Sequence, residues 1–190
     1  NKALLQTHQL QQMATALQHR GPDGEGIWMN EHNTVGFAHR RLSIIDLSEQ
    51  AAQPMHKNFV ARTTGALQNK LSITYNGEIY NYLEVREELK SKGYQFKTGS
   101  DTEVILAAYI EWGSKCVEGF IGMWAIALWD HERQELFCSR DRFGIKPFYY
   151  IVKGDKFYFG SEYKALKPTS VFDGEWNLDQ ISMGLQLGWN

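Results

Sequence analysis

The sequence predicts an α+β protein whose strands form antiparallel sheets. Helical and strand-like segments come in groups rather than in strict alternation, which argues against a doubly wound parallel sheet. Residues 122–129 are almost wholly apolar and predict a strand buried on both faces. Such a strand needs a covering layer on each side, and two stacked sheets with helices outside would supply both. The 190 residues suffice for one domain, and no convincing linker divides them.

The first third of the chain predicts a helix, a hairpin and a loop. Apolar residues recur at helical spacing from residue 4 to residue 19, and Gly21 with Pro22 would end that helix. Two hairpin strands, a further apolar segment and a polar, irregular loop are then predicted at 26–30, 35–40, 42–47 and 48–67.

The remaining residues predict a strand, two adjacent helices and further antiparallel strands. Asn81 with Glu84, and Ser100 with Glu103, have the spacing of capping boxes, so each pair predicts the start of a helix. Gly93 suits the C-terminal end of the first helix. Strands are predicted at 71–75, 122–129, 135–139, 148–152 and 156–160, with short helices at 162–166 and after Asn177.

Composition argues against several function classes. A formal net charge of -2 gives no electrostatic reason to expect a nucleic acid or a membrane surface as partner. No apolar run could span a bilayer and no signal peptide is visible, so a cytoplasmic protein is expected. Cys116 and Cys138 lie among apolar residues and are interpreted as core thiols. The histidines lack metal-ligand spacing, so no metal site is predicted.

A few polar residues suggest a receptor for an α-amino acid. A strand ending in Asn76 and Gly77 can direct an amide N–H and a backbone N–H at one point, as in an oxyanion hole, although Asn-Gly is also a common turn. Arg41 could bind a carboxylate through two parallel hydrogen bonds, or lie on the surface. Glu78 and Asp101 could hold an ammonium group, or be a solvated residue and a favourable charge in the first turn of a helix. No Ser or Cys lies in a nucleophile elbow.

Eight motifs occur in a fixed order along nearly the whole chain. They are HRGPDGEG (19–26), RRLSIIDLS (40–48), QPM (53–55), YNGEIYN (75–81), GSDTEVIL (99–106), GMWAIALWD (122–130), SRDRFGIKPFYY (139–150) and SEYKAL (161–166). Together they closely resemble the class II glutamine amidotransferase domain of glutamine-dependent asparagine synthetases. The sequences RLSIID and NGEIYN resemble the asparagine synthetase branch of this superfamily more than its purine or glucosamine-phosphate branches.

The resemblance implies a four-layer αββα sandwich of the N-terminal-nucleophile hydrolase type. It implies that an N-terminal Cys, with its own α-amine as base, hydrolyses glutamine to glutamate and ammonia. By motif, it assigns the glutamine carboxylate to Arg41, the oxyanion to Asn76 and Gly77, the α-ammonium to Glu78 and Asp101, and the pocket wall to Leu42 and Ile44.

The sequence departs from the family pattern at its start. Position 1 is Asn, and the short Cys-Gly-Ile strand of the family is absent, so these 190 residues alone are expected to bind glutamine poorly and hydrolyse none. Neither Cys116 nor Cys138 offers a free α-amine in its place. Between Pro54 and Ser72, the tight hairpin of the family is not evident.

The resemblance also implies partners beyond these residues. A C-terminal synthetase domain would use ATP and magnesium to amidate aspartate, whereas the glutaminase domain itself needs no cofactor. The oligomeric state is left open, and a homodimer is one alternative. Two alternatives remain at this point: the same glutaminase could feed another carboxylate acceptor such as a sugar acid, or the chain could be a non-catalytic relative that acts as a binding module.

Overall fold

The computed structural model describes residues 4–42, 52–60, 67–172 and 174, and these contain eight strands and three α-helices. The helices are α1 (Thr7–Ala16), α2 (Tyr82–Ser91) and α3 (Asp101–Trp112). The strands are β1 (Gly24–Met29), β2 (Gly36–Arg41), β3 (Met55–Val60), β4 (Leu67–Ile79), β5 (Gly122–Asp130), β6 (Glu135–Arg140), β7 (Tyr149–Lys153) and β8 (Lys156–Gly160). Short 3-10 turns lie at Gln18–Arg20, Gly113–Gly119 and Tyr163–Ala165. None of the described helices is long and apolar enough to cross a membrane.

All strand pairs in the described residues are antiparallel. A central sheet has the order β3-β4-β5-β6, and the β1-β2 and β7-β8 hairpins form a second layer. Strand β4 pairs with β5 from Leu71 opposite Asp130 to Ile79 opposite Gly122. This long register holds the end of β4, which carries the Asn-Gly-Glu sequence, firmly against β5.

The four layers of the predicted sandwich are present, and β5 shows why they are needed. Ile126 and Leu128 pack against α2 and α3 in the largest core cluster. Ala127 and Trp129 point the opposite way and pack with Phe37 of β2 in a second cluster. Helix α1 covers the outer face of the hairpin layer, where its apolar residues meet those of β1, β2 and β8. The prediction of an α+β fold with antiparallel sheets is confirmed.

The prediction of a loop at 48–67 was wrong for residues 55–60 and 67, whereas residues 48–51 and 61–66 lie outside the described residues. Residues 55–60 form strand β3, and β4 already begins at Leu67. Met55 and Phe59 alternate inward and are buried, so pairing with β4 outweighs the polar composition of this stretch. Pro54 precedes the strand instead of interrupting it. Strands β3 and β4 pair in antiparallel register between Pro54 and Ser72, where the sequence showed no evident hairpin, and the residues that connect them lie outside the described residues.

Asn81 does not form the predicted capping box with Glu84. Helix α2 begins where predicted, but the Asn81 side chain makes no capping hydrogen bond. Its amide donates to the Gly119 carbonyl at 3.0 Å and accepts from the Ile121 N–H at 2.8 Å. The predicted helix after Asn177 and most of the apolar segment 42–47 lie outside the described residues.

Only half of the second predicted capping box is present. The Ser100 hydroxyl accepts from the Thr102 N–H at 3.1 Å and caps α3 as expected. Glu103 turns instead to the preceding loop, where its carboxylate accepts from the N–H groups of Lys97 and Thr98. Lys57 of β3 donates to the same carboxylate. This network ties the N-terminal end of α3 to the central sheet.

Candidate active site

A cavity of about 920 Å³ is lined by residues of helix α1, the hairpin layer and the central sheet. The predicted site residues that the structure describes all line it: Arg41, Leu42, Asn76, Gly77, Glu78 and Asp101. They come from three elements, because Arg41 ends β2, the Asn-Gly-Glu sequence lies on β4 and Asp101 begins α3. Ile44, the remaining predicted pocket residue, lies outside the described residues.

Asn76 and Gly77 lie within a strand, so the interpretation of this pair as a turn was wrong. Strand β4 continues past them to Ile79. A Cβ atom on Gly77 would lie 2.2 Å from the Met123 carbonyl oxygen and 2.8 Å from the Trp124 Cα. Glycine is therefore required here because β5 approaches too closely for any side chain.

The free edge of β4 determines where the Gly77 N–H points. On this edge the Tyr75 N–H donates to Gln53 Oε1 at 2.6 Å, and the Ile79 N–H donates to Asp101 Oδ2 at 3.0 Å. Backbone N–H groups two residues apart in a strand point the same way. The Gly77 N–H therefore lies between these two donors and points away from β5. Strand β3 pairs with β4 only as far as Ile73 and does not cover this part of the edge.

The side chains of Asn76 and Glu78 project from one face of β4. Both residues are half-buried and line the cavity. Neither side chain forms a hydrogen bond with another of the described residues. Asn76 can therefore offer its amide, and Glu78 its carboxylate, to a ligand in the cavity. The predicted oxyanion hole would pair this side-chain amide with the Gly77 N–H.

Asp101 is far more buried than a solvated charge in a first helical turn would be. Its exposed fraction is 4%, and its Oδ2 accepts from the Tyr75 hydroxyl at 2.9 Å as well as from the Ile79 N–H. Burial raises the pKa of Asp101, while the hydrogen bonds from Ile79 and Tyr75 act to lower it. A carboxylate held in this way gains from a cationic ligand, which would favour its charged form.

Strand β2 brings Arg41 to the cavity together with a residue that sequence reasoning missed. His39 lies two positions before Arg41, on the same face of the strand, and its Nδ1 lies 3.2 Å from the Thr74 hydroxyl. Burial, reinforced by the Arg41 charge, lowers the pKa of His39 to about 4, so the imidazole is neutral at physiological pH. The period of two in a strand could have identified both neighbours, since Thr74 likewise precedes Asn76 by two positions.

The two cysteines lie away from the cavity. Burial raises the pKa of the Cys116 and Cys138 thiols to about 12, and neither residue lines the cavity. This environment agrees with their interpretation as core thiols. Within the described residues, no group of three or more His, Cys, Asp and Glu side chains could hold a metal ion.

Comparison with known proteins identifies the family. The glutamine amidotransferase domain profile matches residues 1–189. The chain belongs to the glutamine amidotransferase domain family. The resemblance inferred from the eight motifs is thereby confirmed, and the cavity residues can be considered as those of an amidotransferase domain.

Similar proteins carry this amidotransferase domain as one part of a longer chain. Asparagine synthetase [glutamine-hydrolyzing] 3 of Bacillus subtilis is 43% identical over 166 residues, which are 87% of this chain and 25% of that protein. Asparagine synthetase [glutamine-hydrolyzing] 1 of the same organism is 45% identical over 157 residues, covering 83% and 23%. Amidase chry2 of Gibberella zeae is 35% identical over 173 residues, covering 86% and 24%. The chain thus spans about a quarter of the length of these relatives.

Two solved structures share the fold. The glutamine phosphoribosylpyrophosphate amidotransferase of B. subtilis superposes with a TM-score of 0.70 at 19% sequence identity, covering 87% of this chain and 41% of that one. A second solved chain, described as the allosteric regulatory enzyme of purine biosynthesis, superposes with a TM-score of 0.66 at 20% identity, covering 84% and 40%. At these identities the likeness establishes the fold alone.

Proposed function

We propose that this chain is the glutaminase domain of an asparagine synthetase-like amidotransferase. It would hydrolyse glutamine to glutamate and ammonia. The observation that carries this proposal is that one cavity collects a guanidinium from β2, an amide, a glycine and a carboxylate from β4, and a second carboxylate from α3. The family of the chain and the names of its B. subtilis relatives support the same activity.

The charged groups suit the ends of a free amino acid. Arg41 would bind the α-carboxylate, since a guanidinium matches carboxylate geometry with two parallel hydrogen bonds. Glu78 and Asp101 would bind the α-ammonium, and Leu42 lies where it can contact the ligand at the cavity wall. With both α-groups anchored, the side-chain carboxamide is the part of the substrate left to meet Asn76 and Gly77.

The chemistry requires a nucleophile, which the family pattern supplies as the first residue of the mature chain. The Cys sulfur would attack the carboxamide carbon while the α-amine takes the thiol proton. Asn76 and Gly77 would stabilise the resulting oxyanion. Collapse would break the carbon–nitrogen bond, and ammonia would leave with the proton from the α-amine. Water would then hydrolyse the thioester, releasing glutamate and restoring the thiol.

The hairpin layer offers a place for the strand that would carry this Cys. Among the described strands, β2 pairs only with β1 and β8 only with β7, so each has one unpaired edge. Residues of both β2 and β8 line the cavity. We place the nucleophile strand between these two edges, where an extended segment could pair with the backbone and reach the donors on β4.

The acceptor of the ammonia would belong to another part of the protein. The first candidate is a C-terminal synthetase domain that uses ATP and magnesium to amidate aspartate in the cytoplasm, because the B. subtilis relatives bear the asparagine synthetase name. The second candidate is the same glutaminase feeding a different acceptor. Its support is that the G. zeae relative, whose similarity covers 86% of this chain, is named an amidase and not an asparagine synthetase.

The full-length gene product tests this proposal. An electrophilic glutamine analogue should label an N-terminal Cys, excess glutamine should block the label, and peptide mass spectrometry should find neither Cys116 nor Cys138 modified. Glutamate release in the presence of ATP, with aspartate or a panel of other carboxylic acids, would identify the acceptor. A folded product whose N-terminus has been sequenced and carries no label would overturn the proposal in favour of a binding module.

A further inference from the structure

Tyr75 connects three parts of the cavity wall although it projects from the face of β4 opposite Asn76. Its side chain is 4% exposed and packs in the core between the central sheet and the helices. Its hydroxyl donates to Asp101 Oδ2 at 2.9 Å. Its backbone N–H donates to Gln53 Oε1 at 2.6 Å. One residue thus links the segment before β3, the strand with the oxyanion donors and the start of α3.

The hydrogen bonds on Asp101 leave a defined part of its carboxylate for a ligand. The hydroxyl of Tyr75 and the N–H of Ile79 both donate to Oδ2. Two donors on one oxygen hold the plane of the carboxylate in place. The backbone N–H groups of Asp101 and Thr102 also favour the charged carboxylate. Among the described residues, the side-chain and long-range hydrogen bonds go to Oδ2, so Oδ1 is the oxygen through which Asp101 would bind a cation in the cavity.

The hydroxyl also opposes the electrostatic cost of burying Asp101. Burial favours the neutral carboxylic acid, and a hydrogen bond donated to the carboxylate favours the charged form that an ammonium group requires. Tyr75 can supply this hydrogen bond throughout the physiological range, because burial and the neighbouring Asp101 charge raise its pKa above the ordinary tyrosine value. Phenylalanine would keep the packing and remove only this donor.

We propose that Tyr75 is a positioning residue for substrate binding, whose hydroxyl holds the Asp101 carboxylate in the orientation that receives the α-ammonium group of the substrate. This inference rests on the proposed function. Tyr75 does not touch the substrate and acts through Asp101. The ammonium group is present in both the bound substrate and the transition state, so the loss of Tyr75 should weaken binding without slowing the chemical step.

The test compares Tyr75→Phe with Tyr94→Phe in the full-length protein. Tyr94 provides a matched control because its hydroxyl also donates to a carboxylate on α3, that of Glu111, at 3.0 Å. Tyr75→Phe should raise the KM for glutamine about tenfold and leave kcat within about twofold. The reason is that the loss of a hydrogen bond to a charged group changes a binding constant by about tenfold or more. The acidic limb of kcat/KM should shift to higher pH, because Asp101 would protonate more easily. Tyr94→Phe should change neither quantity.

Glutaramate, which is glutamine without its α-amino group, separates positioning from a general loss of structure. The wild-type protein should prefer glutamine strongly, and this preference should fall about tenfold in Tyr75→Phe. Asp101→Asn should remove most of the preference, and adding Tyr75→Phe to it should cause little further loss. A general structural defect would instead weaken both substrates equally.

The outcomes distinguish this proposal from the proposed function. A wild-type protein that neither hydrolyses glutamine nor binds it in calorimetry would overturn both. A wild-type protein that hydrolyses glutamine, with a Tyr75→Phe variant of unchanged KM and pH profile, would overturn the role of Tyr75 alone. Equal effects of Tyr75→Phe and Tyr94→Phe would overturn it as well.

Discussion

Removal of the Asn76 amide is the most direct test of the oxyanion hole. The proposed hole has two donors, the Asn76 side chain and the Gly77 N–H, so Asn76→Ala removes one and leaves the other. Loss of one such donor lowers kcat about 100- to 1000-fold, or about 2.7–4 kcal/mol. Asn76 is only half-buried, so water can partly replace its amide. We therefore expect a loss near the lower end, about 100-fold.

The KM for glutamine separates this role from simple substrate binding. The oxyanion exists in the transition state and not in the bound substrate, so Asn76→Ala should leave KM within about twofold. Asn76→Asp keeps the side-chain shape but places a negative charge against the developing one. At a separation of about 4 Å and an effective dielectric constant of about 20, this repulsion adds about 4 kcal/mol. The aspartate variant should therefore be slower than the alanine variant.

The assay is glutamate release by the full-length protein over a range of glutamine concentrations, with circular dichroism to verify folding. Asn58→Ala is the matched control, because Asn58 lies exposed on β3 and undergoes the same chemical change. A folded Asn76→Ala variant whose kcat stays within about threefold of the wild type would refute the oxyanion hole. A variant with unchanged kcat and a raised KM would instead assign Asn76 to substrate binding.

Four further predictions follow from the same structure. Arg41→Lys should raise the KM for glutamine about tenfold at nearly constant kcat, because an ammonium cannot reproduce the two parallel hydrogen bonds, and steady-state kinetics would measure this. Gly77→Ala should destabilise the protein by about 1–3 kcal/mol and abolish glutamate release, since its Cβ would press on the β5 backbone; thermal unfolding would show the loss. Burial acts to raise the pKa of Glu103, but hydrogen bonds from Lys57 and the 97–98 backbone lower it overall. The charged Glu103 therefore stabilises the fold above its unfolded pKa of about 4.3, and this stabilisation is lost as the pH falls through its folded pKa. Glu103→Gln should reduce the free energy of unfolding at pH 7 and flatten the acid-unfolding curve. At pH 8, Cys138 should react with iodoacetamide about 100-fold more slowly than a free thiol, because its pKa of about 12 leaves almost no thiolate and the higher nucleophilicity of that thiolate offsets only part of the loss. A mass-spectrometric time course would measure this.

Local patterns in the sequence were enough to predict most elements and the family. The β5 strand was predictable because it is continuously apolar, and its burial on both faces already required a sandwich. Strand β3 was not predictable from composition, because only its pairing with β4 makes a strand of that polar stretch. The Asn81 capping box failed for a related reason, since partners distant in sequence, at Gly119 and Ile121, compete for its side chain.

Some features of the candidate site were likewise predictable from the sequence, and others were not. The residue types at 41, 76, 77, 78 and 101 and their motif context were sufficient to propose an amino-acid receptor and an amidotransferase domain. Tertiary structure alone placed these residues around one cavity, and it alone showed that Asp101 is buried against Tyr75. The direction of the Gly77 N–H likewise depends on which edge of β4 is left unpaired. Sequence patterns encode which face of a strand or helix is apolar, whereas the edge of a strand and the partner of a buried charge depend on contacts between residues far apart in the chain.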